Sequence, residues 1–410
     1  MIPYQFSTDF DVVVTGAGMA GVAAALASAR RGLRTALVEK TVFNGGLATI
    51  GSVLYYLPLS DCRHQQIVFG IAEELLKASI QYGPGDVPDW KDPAKNNRYG
   101  VGFNPMSFVL AMDELLDQAG VELWYDTLLC GTERDETGRV AGIAVENKSG
   151  RGLIRAKAFV DASGDADIAW RSGTPTADGV NYLSIWGMGY SMEAAERAVK
   201  SGDGSPLAQL IGWGASDTGA GQIPGVEPFV GISGKKVSRF IVQSRKLALN
   251  AYKELHAQRE NGRKYAFPAM LPGMANYRMS RRIQAEYTIG TGEKFTHFPD
   301  SVGCMPDWRG GNDIWCLPYR ALLPLNLPGV LAAGRCIGSE GEAWQVFRVI
   351  QAAAMSGEVA GLAASMAAER DIVPGALPVA DLQNELRNRS FLLDMRDLAD
   401  LPEPVKVREV

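Results

Sequence analysis

Phe10-Asp11-Val12-Val13-Val14-Thr15-Gly16-Ala17-Gly18-Met19-Ala20-Gly21 decides the fold of this chain. Residues 10–14 are a short, valine-rich apolar run, the pattern of a strand buried in a parallel sheet. Gly16, Gly18 and Gly21 follow as G-x-G-x-x-G. Residues 22–31 are alanine-rich and helical, and Gly32 ends them. Residues 35–38 read as the next strand, which completes a strand–turn–helix–strand unit of about 30 residues. In a dinucleotide site each glycine has a physical task. Gly16 permits the tight turn, Gly18 lets backbone N–H groups approach a pyrophosphate, and Gly21 lets helix and strand pack closely. Met19 and Ala20 open the helix, whose amino end stabilises phosphate charge. Glu39 ends the second strand, eighteen residues past Gly21, and Lys40 follows it. A carboxylate there accepts hydrogen bonds from a ribose and repels a 2′-phosphate, which disfavours NADP.

Outward from this unit, residues 69–82 and 105–119 show helical spacing of apolar positions, with a loop over 83–102. Residues 121–126, 138–146 and 152–160 read as strands. The turn at 135–138 joins two of them, and together they predict a small antiparallel insertion that ends at 161–167. Residues 175–300 change character: they are glycine-rich, carry Trp186 and Trp213, and hold a helix at 238–260. Residues 330–333 are again a buried strand, and 346–369 one long helix of small residues. Residues 380–410 read as a charged, partly helical tail. The fold expected is α/β. A discontinuous Rossmann-like dinucleotide domain (1–174 and 316–410) would be interrupted by an inserted α+β substrate domain (175–315).

Composition bounds the function. The 410 residues are 46% hydrophobic and 21% charged, as in a globular protein too long for one ordinary core. A net charge of −5 with no long basic run argues against a nucleic-acid partner. The amino end lacks the basic flank of a secretory leader. No apolar run reaches ~18 residues; the best, 352–368, is interrupted by Ser356 and Glu358. The expectation is a cytoplasmic protein with no membrane contact. Cys62, Cys130, Cys304, Cys316 and Cys336 form no C-x-x-C pair. Reduced thiols are expected, and a disulfide framework, an iron–sulfur cluster, a zinc site and a redox dithiol are disfavoured.

Further motifs lie far apart in the chain. Gly45-Gly46 is followed by Thr49 and Gly51. Residues 158–167 (AFVDASGDAD) contain Ala162, Ser163 and Gly164. Arg281-Arg282-Ile283 precedes Tyr287, and Leu317-Pro318-Tyr319-Arg320-Ala321-Leu322 precedes 329–337 (GVLAAGRCI), with Gly334 and Arg335. Arg348 and a helix with Gly357 and Gly361 come last. With these motifs the chain resembles the FAD-dependent oxidoreductases of the glutathione-reductase superfamily. It is close to the heterodisulfide-reductase-like and fumarate-reductase-like flavoproteins. The resemblance covers roughly residues 10–370. Ser163 departs from the family's threonine, and Gly-Glu-Val-Ala-Gly at 357–361 replaces the more usual Gly-Gln-Ala-Ala-Gly.

The resemblance implies FAD, with the 45–51 loop beside its pyrophosphate and ring and the Arg348 segment closing the flavin site. With no histidine near 45–51, non-covalent binding is expected. A dedicated NAD(P)H domain is not, because no second G-x-G-x-x-G occurs. The chain is then expected to pass a hydride between flavin N5 and a small polar substrate, an organic acid or sugar derivative. Two rivals stand beside this reading. One is a non-catalytic or electron-relay subunit of a larger complex. The other, an NAD-dependent dehydrogenase, leaves three motifs unused. The electron acceptor and self-association stay open. Arg281 and Arg282 are the substrate-side candidates, because guanidinium binds carboxylate bidentately. His297 and His64 are candidate bases, Tyr319 a candidate acid, and His256 a bystander. Trp344 and Phe347 could line a pocket, with core packing as the alternative.

Overall fold

The glycine-rich turn sits between two buried elements, and the sheet is built around it. In the computed structural model the described residues are 3–61, 63–89, 100–207, 209–310, 312–399, 401 and 404–408. Cys62 and part of the 83–102 loop lie outside them. In chain order the elements used below are β1 (Phe6–Thr15), α1 (Met19–Ala29), β2 (Thr35–Val38), α2 (Ile71–Gln81), α3 (Pro105–Gln118), β3 (Glu122–Trp124), β4 (Leu128–Arg134), β5 (Val140–Asn147) and β6 (Gly150–Asp161). There follow β7 (Ser184–Ser191), β8 (Gln209–Gly214), α4 (Gly234–Ala257), β9 (Ala266–Met270), β10 (Ser301–Pro306), β11 (Ile314–Pro318), β12 (Val330–Ala332), α5 (Gly341–Phe347) and α6 (Ile350–Glu369).

The main sheet is seven-stranded, in the order β3-β2-β1-β6-β5-β4, with β12 also on β6. β3, β2, β1, β6 and β12 run parallel; β6, β5 and β4 run antiparallel. The twelve-residue β6 serves both halves. Its first half pairs with β5 (Ile154 with Ile143), and its end pairs with β12 (Asp161 with Ala332). The return of the chain to this sheet at 330–332 agrees with the sequence expectation.

Three local expectations need correction. Residues 121–126 do not belong to the antiparallel part; β3 is the parallel edge next to β2. The real partner of β5 is β4, whose mixed sequence Leu-Leu-Cys-Gly-Thr-Glu-Arg carries no clean alternation. The helix expected at 346–369 is two helices, α5 and α6, which meet at 83° where the extended Val349 (ψ 167°) leaves the helical path.

α6 is buried along nearly its whole length, as is α1, and the two pack together. Their small side chains permit this. A Cβ at Gly357 would overlap the Ala20 carbonyl, and one at Gly361 the Ala24 carbonyl. Ser28 Oγ donates to the Gly361 carbonyl at 3.1 Å across the same contact. The apolar run of 352–368 is therefore a core helix. No single helix among the described residues is long and apolar enough to cross a membrane.

Beyond the sheet, β8-β7-β9 form a three-stranded antiparallel sheet, against which α4 packs. Ser244 of α4 donates to the Ser184 carbonyl at 2.8 Å. Leu183, Phe229, Phe240 and Tyr277 make a small separate core there. A ladder of Thr176–Asp178 with Arg281–Ile283 lies where this region begins and ends.

Candidate active site

Four segments that follow parallel strands meet at the carboxyl edge of the main sheet, the edge where open α/β sheets bind ligands. They are the turn after β1 (Gly16, Gly18), the segment after β2 (Glu39, Lys40), the loop after β6 (Ala162, Ser163, Gly164) and the turn after β12 (Gly334, Arg335). With Met19, Ala20, Gly45, Gly46 and Arg348 they line a cavity of about 760 Å³. Of the residues expected from sequence to hold a cofactor, Gly21 and Thr49 stand behind the wall. A Cβ at Gly21 would overlap the Gly16 carbonyl, and Thr49 Oγ1 donates to the Asn44 carbonyl at 2.5 Å. Thr41, Leu47, Ala48, Ile50, Met274, Ala333, Ile350 and Ala353 also line the cavity. Leu47, Ala48 and Ile50 belong to the 45–51 loop and Ala333 to the 329–337 motif, whereas Thr41, Met274, Ile350 and Ala353 were missed; Met274 in particular carries no local signal.

The wall fits a dinucleotide. Gly16 has φ +89°, and a Cβ there would lie 2.7 Å from the Ala162 carbonyl oxygen. Gly18 is different. Its dihedrals (φ −65°, ψ 179°) suit any residue, and a Cβ there would meet no protein atom within 4 Å. Nothing in the protein demands glycine at 18; the room it leaves is cavity. α1 starts there without a side-chain cap, and α6 starts at Ile350 without one. Their first N–H groups lack intrahelical partners, so two centres of positive partial charge border the cavity. Glu39 Oε2 accepts from Ala17 N–H at 2.7 Å and Oε1 from Thr41 N–H at 2.8 Å. Each oxygen keeps a lone pair for a hydroxyl. Glu39 and Lys40 also border a smaller adjoining cavity of about 360 Å³ with Thr127, Leu128 and Leu129.

Buried charges brace the loop after β6. Asp161 Oδ1 accepts from Ser163 Oγ at 2.6 Å, and Oδ2 from Ile168 N–H at 2.8 Å. Burial, with Asp167 adding to it, pushes the Asp161 carboxyl up to about 6. Arg335 donates to the carbonyls of Gly164 (2.8 Å) and Tyr277 and to Asp165 Oδ1 (2.8 Å). Burial acts to raise Asp165, but Arg335 and Lys40, with Ser280 and Arg281, hold it below the usual carboxylate range. Arg335 is thus a clamp between three segments.

The expected catalytic residues are not brought together. Arg281 donates from Nη2 to Asp167 Oδ1 at 2.7 Å and from Nε to the Asp165 carbonyl at 2.6 Å, and it lies over Trp170 at 4.5 Å. Its donors are used in bracing. Arg282 pairs with Glu340 at 2.8 Å and borders an open cleft of about 1100 Å³. The expectations for Tyr319 and His297 are corrected. Tyr319 is buried, and its hydroxyl donates to the Pro374 carbonyl at 2.9 Å, away from the cavity. His297 sits in a short ladder with 406–407, its Nδ1 3.5 Å from Asp394 Oδ1. Neither lines the cavity or the cleft. His64 lines neither, and His256 Nε2 lies 2.8 Å from the Ala266 carbonyl. Trp344 borders the cleft and donates to the Arg335 carbonyl at 2.7 Å; Phe347 is core.

Two residues that sequence reasoning missed, Asp217 and Arg278, lie beside Arg348 between cavity and cleft, and both border a small cavity of their own. Arg348 lines the cavity and Asp217 the cleft, and Arg348 Nη2 donates to Asp217 Oδ2 at 2.5 Å. Arg278 Nε lies 3.3 Å from the other oxygen of Asp217 and stacks over Trp186 at 4.3 Å. Burial pulls the Arg278 guanidinium down to about 10 despite Asp217. Burial acts to raise Asp217, but Arg348 and Arg278 outweigh it and hold the carboxyl low. One carboxylate therefore serves two buried guanidiniums.

The sequence profile of the FAD dependent oxidoreductase family matches residues 11–182 and 232–386. The chain belongs to that family. Its glycine cradle fits FAD, the dinucleotide for which that family is described. Among curated relatives it is similar to the digeranylgeranylglycerophospholipid reductase of Picrophilus torridus, 28% identical over 38% of this chain and 39% of the relative. It is also similar to the thiamine thiazole synthase of Sulfolobus acidocaldarius, 28% identical over 57% of this chain and 86% of the relative. The match to the reductase thus spans well under half of that protein's length. A solved geranylgeranyl bacteriochlorophyll reductase-like protein from Thermoplasma acidophilum overlaps 94% of this chain and 84% of its own, at 15% identity and a TM-score of 0.47. Asp217 lies outside the residues that the family profile matches, whereas Arg278 and Arg348 lie inside them.

Proposed function

We propose that this FAD-dependent oxidoreductase acts on a small carboxylic acid, whose carboxylate is received by Arg278 and Arg348. The observation that carries this reading is Asp217, one carboxylate between two buried guanidiniums at the junction of cavity and cleft. Buried charges need partners. Arg281, Arg282 and Arg335 each have an acid of their own, so the positive excess sits at Arg278 and Arg348. A planar guanidinium pair selects a carboxylate over a neutral sugar. Of the two substrate classes the sequence suggests, the acid is the better fit.

FAD, when bound, supplies hydride chemistry and a two-electron store. The chain supplies the rest. Gly18 and the amino end of α1 would hold the pyrophosphate, and Glu39 the ribose. The amino end of α6 and Arg348 would favour negative charge beside them. Among the described residues, those lining the cavity include no histidine, cysteine or tyrosine, which supports non-covalent binding. We read the fold as the glutathione-reductase type, with residues 175–315 as the substrate-side unit.

The test is an absorbance spectrum followed by anaerobic titration with small acids and sugars. Bleaching by an acid, with KM raised at least ~10-fold in Arg278→Gln at unchanged flavin content, supports the reading. Bleaching by neutral sugars alone, or an unchanged KM in that variant, overturns it.

A further inference from the structure

Cys304 and Cys316, twelve residues apart, face each other across the β10–β11 hairpin. They are register partners, and their Sγ atoms lie 3.3 Å apart. The Asp307 N–H donates to the Asp313 carbonyl at 2.9 Å, so 307 and 313 form a hydrogen-bonded pair. Three positions along, 304 and 316 then fall at a non-hydrogen-bonded pair. There the Cα atoms approach to ~4.5 Å, inside the ~4.4–6.8 Å range that a disulfide spans. Closing from 3.3 Å to a bond of ~2.05 Å asks each sulfur to move well under 1 Å. The absence of a C-x-x-C pair hid this, because a hairpin rather than a helical turn brings the thiols together.

The surroundings are polar on one side. The Ser301 hydroxyl is buried beside Cys316 with no oxygen or nitrogen partner among the described residues, and His297 Nδ1 has no hydrogen bond beyond its 3.5 Å approach to Asp394 Oδ1. The His297 ring is 13% exposed and Asp394 beyond it 22% exposed, which gives a route outward. The thiols differ. The Cys304 hydrogen bond, aided by His297 and Ser301, draws Cys316 down against burial, whereas burial drives Cys304 up. A thiolate is the nucleophile of oxidation, and Cys316 is the sulfur so favoured.

We propose that Cys304 and Cys316 form a hydroperoxide-responsive dithiol that closes reversibly to a cross-strand disulfide. The Cys316 thiolate attacks one peroxide oxygen and breaks the O–O bond. This leaves a sulfenic acid on Cys316 and, after one proton is taken up, an alcohol (water from hydrogen peroxide). Cys304 then attacks the Cys316 sulfur; the S–S bond forms, the S–O bond breaks, and the departing hydroxide takes the Cys304 proton as water. Two thiols lose two electrons, and the peroxide gains them. A low-molecular-weight dithiol returns the pair to its reduced form by exchange. The hairpin backs α6, since a Cβ at Gly303 would lie 2.8 Å from Met355 Sδ. The switch therefore sits behind the helix whose start borders the cofactor cavity.

The test uses the full, flavin-loaded protein, reduced, desalted and given one to a few equivalents of hydrogen peroxide. Titration under denaturing conditions is expected to find two fewer thiols than the five of the sequence. Peptide mapping should join the tryptic peptides of 304 and 316, which Arg309 separates. In Cys304→Ser a dimedone probe should label Cys316, and in Cys316→Ser it should leave Cys304 unlabelled. Five free thiols after treatment, or a disulfide involving another cysteine, overturns the proposal; so does equal labelling of the two variants. The wild-type mapping decides the matter even where a variant does not fold.

Discussion

Glu358 lies in the middle of α6, 2% exposed, and its Oε2 accepts from the Ile71 N–H at 2.6 Å. α2 begins there behind Gly70, which has no side chain to cap it. A carboxylate from a distant helix thus does the work of a cap. Its position is costly, because burial pushes the carboxyl up to about 7 from an ordinary 4.5, against the help of the Ile71 N–H. Between those two values the folded chain keeps a proton that the unfolded chain has released. Stability therefore falls as pH rises through that window, by ~1.4 kcal/mol per pH unit, and levels off above it. The whole window is worth about 3 kcal/mol. Glu358→Gln removes the linkage while keeping an acceptor for Ile71. Urea unfolding of both proteins at pH 5 and pH 8, flavin-free and flavin-loaded, is the assay. The variant should gain on the wild type by about 3 kcal/mol between the two pH values. Parallel pH profiles would refute the reasoning.

Gly18→Ala should fold with a stability change within about 0.5 kcal/mol, since its dihedrals are ordinary and no protein atom is near; FAD affinity should fall at least tenfold, as read by fluorescence on reconstitution. Gly357→Ala meets the Ala20 carbonyl and should cost about 3 kcal/mol or prevent folding, measured by thermal melting. Tyr319→Phe loses the bond to Pro374 and should cost about 1 kcal/mol. Its flavin content and turnover should match the wild type; a loss of turnover would restore Tyr319 as an acid.

Sequence shows best what a backbone needs locally. Gly16, Gly21 and the two glycines of α6 are legible because only glycine meets their demands, and Glu39 is legible by its spacing. β4 was not legible, since half its face is intermediate in burial and its partner strand settles the register. The bend at Arg348 was not legible either. Neither Arg348 nor Val349 is a helix breaker, and the Asp217 partner of Arg348 lies 131 residues away in sequence. The same distance effect misled the reading of Arg281. Its type is right for a carboxylate, but Asp167, 114 residues earlier in the chain, already occupies it. Charge partners set by tertiary contact leave no periodic trace.

The glycine contact between α1 and α6 also fixes a length. Two helix starts border one cavity, and the backbones behind them touch, so the starts are the jaws of a rigid calliper. The spacing between the two starts is therefore set by packed backbone, and no side-chain rotamer can adjust it.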